Sequence, residues 1–370
     1  MQSRSRLLRC LALAGLSASG LACKQDPATS SSFIVAAGGT PGGGGSTGGG
    51  ATSGGGSTGA GGSTGGGGST GGGATSGGGS TGAAGTTTTA DGGMTVGCNE
   101  NPMQPLGSYF EYHVSIAGPD IDSTTKQPKV RDRTYWVRLP ANYDNTTPNR
   151  VVYLGPGCGG SSWQDVLRIN SNSMNDAILV AVIPLAEFGA CFDETANSVE
   201  VPYFDAVHKA VESAFCVDPS RQFYAGFSTG ARLGYMLNCY FPDVLRATGP
   251  IQGGLPSLST CKTNKIAMFT VSDTTETGNP YSQAVQATQR LFSQNGCTGS
   301  FVSPMPPADG MTTVTYDPMA MMLMANTPVC VKYAGCPAAY PIVFCTTTNA
   351  GHITYEPWSD QALWNFFKSF

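Results

Sequence analysis

The stretch that decides the fold is residues 222–239, which read QFYAGFSTGARLGYMLNC. Its first five residues are an apolar run of the kind that forms a buried strand, and the apolar spacing over 229–239 predicts a helix. Between these two segments, Gly226 and Gly230 flank Ser228. Glycines at both flanks permit the tight turn that would lift a serine hydroxyl clear of a sheet. The stretch therefore predicts a strand, a turn and a helix, with Ser228 as a candidate nucleophile.

Strand-like and helix-like segments alternate along the rest of the chain. Continuous apolar runs, typical of parallel strands buried on both faces, lie at 151–154, 178–183 and 266–269. Helical spacing of apolar residues recurs at 203–215, 282–293 and 359–367. Runs of alternating polarity at 109–115 and 134–139 predict an antiparallel pair. Together these segments predict an α/β fold, with a mainly parallel sheet and helices on both faces.

A glycine-rich tract divides the chain. More than half of its 51 glycines lie between residues 38 and 93, in repeats with serine and threonine. Such a segment has no apolar side chains to bury and cannot form a core, so we predict a linker over 24–97 and one catalytic domain over 98–370. The tract also contains Gly-x-Ser-x-Gly matches, which are accidents of composition because no strand precedes them.

Residues 1–23 predict an export signal. Three arginines precede an apolar run that is too short to span a bilayer. Two processing routes stay open: ordinary cleavage after Ala22, or lipidation of Cys23 as in a bacterial lipoprotein. Either route predicts a secreted protein or one anchored at an outer cell surface, with a lipidated Cys23 as the membrane tether in the second case.

Cysteine usage and charge narrow the class of protein further. Ten of the 12 cysteines lie between Cys98 and Cys345. In an exported domain this number predicts up to five disulfides, whose connectivity the sequence leaves open. The sequence has no CxxC pairs and no clustered histidines, so we expect neither a metal nor a cofactor. The formal net charge is −4 with scattered basic residues, so nucleic acid is not an expected partner.

A serine nucleophile needs a base, and the chain has only three histidines. His113 lies in an early strand run and His208 lies in the middle of a helical segment. His352 follows an apolar run at 340–344 and precedes the last helix. Because a loop beyond the carboxyl edge of the sheet can reach Ser228, His352 is the predicted base.

The third member of the triad should be a carboxylate that orients the histidine. The carboxylates considered between the serine and the histidine are Asp243, Asp273, Glu276, Asp309 and Asp317. We favour Asp273, which directly follows the strand at 266–271, and take Glu276 as the second choice.

An oxyanion hole requires backbone N–H donors. Thr229, which follows the nucleophile, supplies one, and the turn GPGCGG at 155–160 supplies the other. Pro156 has no N–H, so the second donor is Cys158 or Gly159, and we predict Cys158.

Three blocks, 151–162, 215–231 and 333–352, together resemble one known group of enzymes. These are the secreted α/β-hydrolases of the feruloyl esterase and polyhydroxybutyrate depolymerase type, similar to carbohydrate esterase family 1. The resemblance implies a disulfide-stabilised α/β-hydrolase fold with Ser228, Asp273 and His352 as the triad. It departs from the family pattern where Pro156 replaces the usual histidine of the oxyanion turn.

The resemblance implies a secreted serine carboxylic-ester hydrolase that acts on esters of plant cell-wall polysaccharide. Aromatic side chains at Trp163, Tyr355 and Trp358 are the predicted substrate contacts. Polyhydroxybutyrate depolymerase and acetylxylan esterase activities are the alternatives within this class. Outside it, we weigh a serine peptidase and a non-catalytic, surface-tethered binding domain on a hydrolase scaffold.

Overall fold

The computed structural model describes residues 95–160, 162–304, 311–314 and 328–370. The predicted export signal, the linker up to residue 94 and the candidate carboxylates Asp309 and Asp317 lie outside these residues.

The folded domain already includes Thr95. Its side chain is buried, donates a hydrogen bond to the Phe215 carbonyl and accepts one from the Val217 amide. These contacts place Thr95 within the folded domain, three residues before the predicted start at Cys98.

One sheet organises the described part of the chain. Its strands are β1 (Tyr109–Ile121), β2 (Pro128–Arg138), β3 (Asn149–Gly155), β4 (Ile178–Val182), β5 (Val217–Phe227), β6 (Ala247–Ile251), β7 (Ala267–Asp273), β8 (Met311–Val314), β9 (Val329–Tyr333) and β10 (Ile342–Thr347). They lie in the order β1-β2-β4-β3-β5-β6-β7-β10-β9-β8. The run from β4 to β10 is parallel, and the pairs toward both edges are antiparallel.

Helices cover both faces of this sheet. They are α1 (Ile169–Ser173), α2 (Glu200–Ala214), α3 (Thr229–Tyr240), α4 (Tyr281–Gln294) and α5 (Trp358–Lys368), with 3₁₀ segments at Trp163–Arg168 and Ala186–Phe188. Side chains alternate along β3, so Val151 and Tyr153 pack with α2, α3 and α4, whereas Val152 and Leu154 pack with α1 and α5. This layered arrangement confirms the predicted α/β-hydrolase fold.

The sequence analysis missed strand β6, whose residues are ATGPI. Glycine and proline are rare inside strands, and the local sequence is typical of a turn. Pairing with β5 on one side and β7 on the other makes this segment a fully buried strand.

Five disulfides stabilise the domain, which confirms the predicted framework. They join Cys98–Cys216, Cys158–Cys191, Cys239–Cys261, Cys297–Cys336 and Cys330–Cys345. Disulfides form in oxidising compartments, so the domain matures outside the cytoplasm. Within the described residues, no helix has the length and apolar character needed to cross a bilayer.

Candidate active site

Ser228 lies at the turn between β5 and α3. Its backbone is in an unusual region for a residue other than glycine, with φ 59° and ψ −119°. Such strain persists only where the surroundings enforce it. Here the backbones pack too closely for side chains: a Cβ on Gly230 would lie 2.0 Å from the Gly155 carbonyl oxygen, and one on Gly226 would lie 2.3 Å from the Gly230 oxygen. The glycines at both flanks of the serine are therefore required for this close approach.

The structure brings His352 to Ser228. The imidazole Nε2 lies 2.9 Å from the serine Oγ, and the Phe227 ring packs 4.9 Å from the imidazole centroid. His352 lies in the loop between β10 and α5, beyond the carboxyl edge of the sheet. This distance allows the imidazole to accept the serine proton directly.

The other two histidines lie elsewhere. His113 is on β1, between the carboxylates of Glu111 and Asp132. His208 is buried in α2, where desolvation lowers its pKa, and it contacts Asp205. Neither histidine has contact with the candidate nucleophile in the described structure.

The carboxylate that meets His352 is Glu276, whereas the sequence analysis favoured Asp273. Glu276 Oε2 lies 3.0 Å from the imidazole Nδ1. Its Oε1 accepts hydrogen bonds from the backbone amides of Gly278 at 2.6 Å and Asn279 at 3.3 Å. The Glu276 side chain is only 7% exposed. The geometry therefore brings Glu276, the second choice of the sequence analysis, into hydrogen-bond contact with His352, and it does not bring Asp273 there.

Asp273 instead anchors the loop that carries the histidine. Its Oδ2 accepts hydrogen bonds from the Thr347 hydroxyl at 2.8 Å and the Ala350 amide at 2.9 Å. Its Oδ1 accepts both the amide and the hydroxyl of Thr275. Burial alone would raise the pKa of Asp273, but these hydrogen bonds outweigh that effect and hold the pKa below its ordinary value.

The reason for this exchange of roles is the length of β7. The strand continues through Asp273, so this side chain is fully buried at the end of the sheet. Two of its hydrogen bonds, from Thr347 and Ala350, join the end of β7 to β10 and the loop that follows it. The other two come from Thr275 in the turn after β7, and the chain must continue three residues beyond Asp273 before a carboxylate reaches the imidazole.

Gln252 is a further buried side chain at this edge that the sequence analysis missed. It lies directly after β6 in a left-handed conformation, with φ 56°. Its Oε1 accepts the Asp273 amide, and its Nε2 donates to the Gly351 carbonyl and to the Tyr355 hydroxyl. It therefore links three loops beneath His352. No sequence signal marks it, since a single glutamine after an unrecognised strand carries no pattern.

A pocket of about 540 Å³ opens beside Ser228. Its lining residues are Cys158, Phe188, Cys191, Phe192, Asp193, Glu194, Ser228, Thr229, Arg232, Gly278 and Asn279. The two residues predicted for the oxyanion hole thus both line this pocket, with Cys158 Sγ 3.7 Å from Thr229 Oγ1. The amide of Gly159, the other candidate donor, already donates to the Ala190 carbonyl at 2.8 Å.

The three predicted substrate contacts are elsewhere. Tyr355 is 1% exposed and donates its hydroxyl to the Gly351 carbonyl. Trp358 is fully buried in the core beside Phe269. Trp163 stacks on Trp136 with ring centroids 4.8 Å apart. None of the three lines the described pocket. The sequence indicated which residues are aromatic, but it did not indicate the direction in which each side chain points.

Metal chemistry has no obvious centre in the described part of the chain. No group of three or more His, Cys, Asp or Glu side chains is placed there to hold a metal ion. The chemistry that the described site can perform is nucleophilic acyl transfer by an activated serine.

Fold and site together define a serine hydrolase, and comparisons with known proteins narrow the class. The chain is 25% identical over 218 residues to a protein of Aspergillus niger named "Probable feruloyl esterase C", covering 57% of this chain and 72% of the relative. It is 22% identical over 275 residues to feruloyl esterase D of Neurospora crassa, covering 68% and 88% respectively. No protein-family model matches.

Among solved structures, the acetyl xylan esterase from Aspergillus awamori superposes with a TM-score of 0.48 at 13% identity, covering 70% of this chain and 100% of that one. The sequence relatives confirm the predicted resemblance to feruloyl esterases. The chain is a feruloyl-esterase-like α/β-hydrolase and a carboxylic ester hydrolase.

Proposed function

We propose that this protein is a secreted serine esterase that removes hydroxylated aromatic acyl groups, of the feruloyl type, from plant cell-wall polysaccharide. The relatives named feruloyl esterases support the reaction class. The observation that carries the choice of acyl group is the lining of the pocket beside Ser228.

The mechanism follows from the distances around Ser228. The Oγ attacks the ester carbonyl while His352 Nε2 takes its proton. Glu276 accepts the Nδ1–H hydrogen bond and stabilises the resulting imidazolium. The backbone amides of Thr229 and Cys158 hold the oxyanion. The imidazolium then protonates the leaving alcohol, and a water molecule activated by the same histidine hydrolyses the acyl-enzyme and regenerates the serine.

The position of the pocket assigns it to the acyl group. His352 must protonate the leaving alcohol, so the alcohol lies on the side of the imidazole. Thr229 and Cys158 line the pocket, whereas His352 is not one of the described residues that line it. An acyl chain bound through the oxyanion hole would therefore extend into this pocket.

The pocket chemistry favours a hydroxylated aromatic acid. Phe188 and Phe192 offer aromatic walls, on which a ring can pack face to edge. Glu194 and Asn279 add hydrogen-bonding groups that suit ring hydroxyl or methoxy substituents. An acetyl group would leave most of the 540 Å³ unfilled, so the alternative of an acetylxylan esterase is less well supported.

We also propose that the domain acts outside the cell at the end of the predicted glycine-rich linker. Five disulfides support an extracellular location. Lipidation of Cys23 would tether the enzyme to a membrane, and ordinary cleavage would release it. The formal charge of −4 supports an uncharged polysaccharide ester rather than nucleic acid as the partner.

The test uses the full chain produced under oxidising conditions, with Ser228→Ala and Ser213→Ala as the matched pair. Ser213 is an exposed serine on α2. We expect wild type and Ser213→Ala to hydrolyse methyl ferulate, and Ser228→Ala to lose about 10⁵-fold in kcat.

Other outcomes overturn the proposal in distinct ways. Turnover of p-nitrophenyl acetate or butyrate without methyl ferulate would favour an acetylxylan esterase or a polyhydroxybutyrate depolymerase. Cleavage of peptides would indicate a peptidase. A folded wild type that binds polysaccharide but cleaves none of these substrates would be a binding domain.

A further inference from the structure

Arg232 lies on α3 four residues after Ser228, which is about one helical turn. All three nitrogens of its guanidinium donate hydrogen bonds. Nε donates to the Asn279 side-chain oxygen at 2.7 Å, Nη2 donates to the Gly278 carbonyl at 3.0 Å, and Nη1 pairs with the Glu194 carboxylate. The arginine thus joins the nucleophile helix to two separate loops.

One of these loops carries the acid of the triad. Gly278 and Asn279, whose oxygens accept from Arg232, are the same residues whose backbone amides donate to Glu276 Oε1. Each residue therefore has one group bound to the arginine and one bound to the carboxylate. The turn at 276–279 thus connects the Arg232 guanidinium to the Glu276 carboxylate.

This turn needs such an anchor. Thr277 and Gly278 are exposed, and the turn precedes α4 without being part of it. A turn of this kind moves easily unless other elements hold it. The planar guanidinium binds its partners in a fixed geometry, so it fixes the turn relative to a rigid helix.

Resting on the proposed function, we propose that Arg232 is a positioning residue that holds Glu276 in place against His352. The helix that begins at the nucleophile also sets the position of the acid, through the arginine and the turn at 276–279. Helix α3 thus positions both Ser228 and Glu276, and the imidazole of His352 lies between them.

The test is a double-mutant cycle of Arg232→Met and Glu276→Gln, with p-nitrophenyl acetate as substrate. The acetyl group is too small to contact the polar part of the acyl pocket. Changes in the recognition of the acyl group therefore do not contribute to the measured rates. Alone, Arg232→Met is expected to lower kcat about 10- to 100-fold with KM almost unchanged. In the Glu276→Gln background the same change is expected to cost less than about threefold, because there is no carboxylate left to position.

A pH profile supplies a second readout. A displaced Glu276 carboxylate leaves less negative charge beside the imidazole, which changes the pH dependence of kcat/KM. The acid limb of the kcat/KM profile of Arg232→Met should therefore move to lower pH, as in Glu276→Gln. A purely structural role would lower the activity without moving this limb.

Arg221→Met is the matched control. Arg221 also donates Nε to a carboxylate, Asp218 at 2.6 Å, and Nη2 to a backbone carbonyl, but it lies on β5, seven residues before Ser228. Its substitution should leave kcat unchanged. If Arg232→Met does not fold, Arg232→Lys takes its place in the cycle, since one ammonium cannot reach all three acceptors in the same planar geometry.

Two results would overturn this inference while the proposed function stands. One is an equal fold-loss in both backgrounds, and the other is a rise in KM with kcat unchanged, which would make Arg232 a substrate contact. A wild type that hydrolyses no ester would overturn the proposed function itself.

Discussion

The two halves of the site are built in contrasting ways. The turn around Ser228 comes from one continuous stretch, in which strand, glycines and helix are all close in sequence. The acid and histidine side is assembled from segments around Glu276 and His352, which are 76 positions apart and meet only because β7 and β10 are neighbours in the sheet. Local sequence therefore specifies the candidate nucleophile, whereas tertiary pairing specifies which carboxylate meets the histidine.

The largest expected effect tests which carboxylate is the acid. Glu276→Gln should lower kcat/KM about 10⁴-fold, because a neutral amide does not stabilise the imidazolium or its tautomer. Asp273→Asn should lower kcat/KM only about tenfold, through a less well-placed histidine loop. Steady-state kinetics on methyl ferulate for both variants measures the contrast.

Thermal unfolding accompanies these kinetics as the control for folding. If Asp273→Asn proved the more damaging change for kcat/KM while remaining folded, the assignment of Glu276 as the acid would be wrong.

A smaller effect is expected on the serine side. Gly230→Ala introduces a Cβ that would lie 2.0 Å from the Gly155 carbonyl oxygen, and its three nearest atoms are all backbone atoms. The backbone has to shift, and we expect the free energy of unfolding to fall by about 3 kcal/mol. Urea unfolding of the intact, disulfide-bonded chain measures this loss.

Activity should fall together with stability in this variant, because the same shift moves Ser228. A Gly230→Ala protein with wild-type stability and kcat would show that the close approach of these backbones is not required.

The smallest effect concerns the hydrogen bonds that hold Asp273. Thr347→Val removes one donor to its carboxylate, so we expect about 1 kcal/mol less stability at pH 7. Because the pKa of Asp273 is lowered in the folded state, its contribution is complete above the unfolded pKa and disappears as pH falls through the folded value. The difference between variant and wild type should therefore shrink below about pH 4.

Urea unfolding at pH 7 and at successively lower pH provides the measurement. A stability difference that stays constant down to the acid limit would show that the Thr347 hydroxyl acts independently of the Asp273 charge.

Most of the fold could be predicted because buried parallel strands and amphipathic helices leave clear patterns. The runs at 151–154 and 178–183 correspond to β3 and β4 in the structure. Strand β6 could not be predicted, since its ATGPI sequence becomes a strand only between two neighbours. The directions of the aromatic side chains could not be predicted either, since Tyr355 and Trp358 turn into the core whereas Phe188 and Phe192 line the pocket.

The sequence by itself determined the candidates for the nucleophile and the base, which the structure brings into contact. Ser228 follows from glycines and a strand in its immediate neighbourhood, and His352 follows from elimination among three histidines. Only the tertiary structure decided which of two carboxylates, three residues apart, reaches the imidazole. The physical reason is that the choice depends on where β7 ends and on hydrogen bonds from β10 and its loop, which already occupy Asp273.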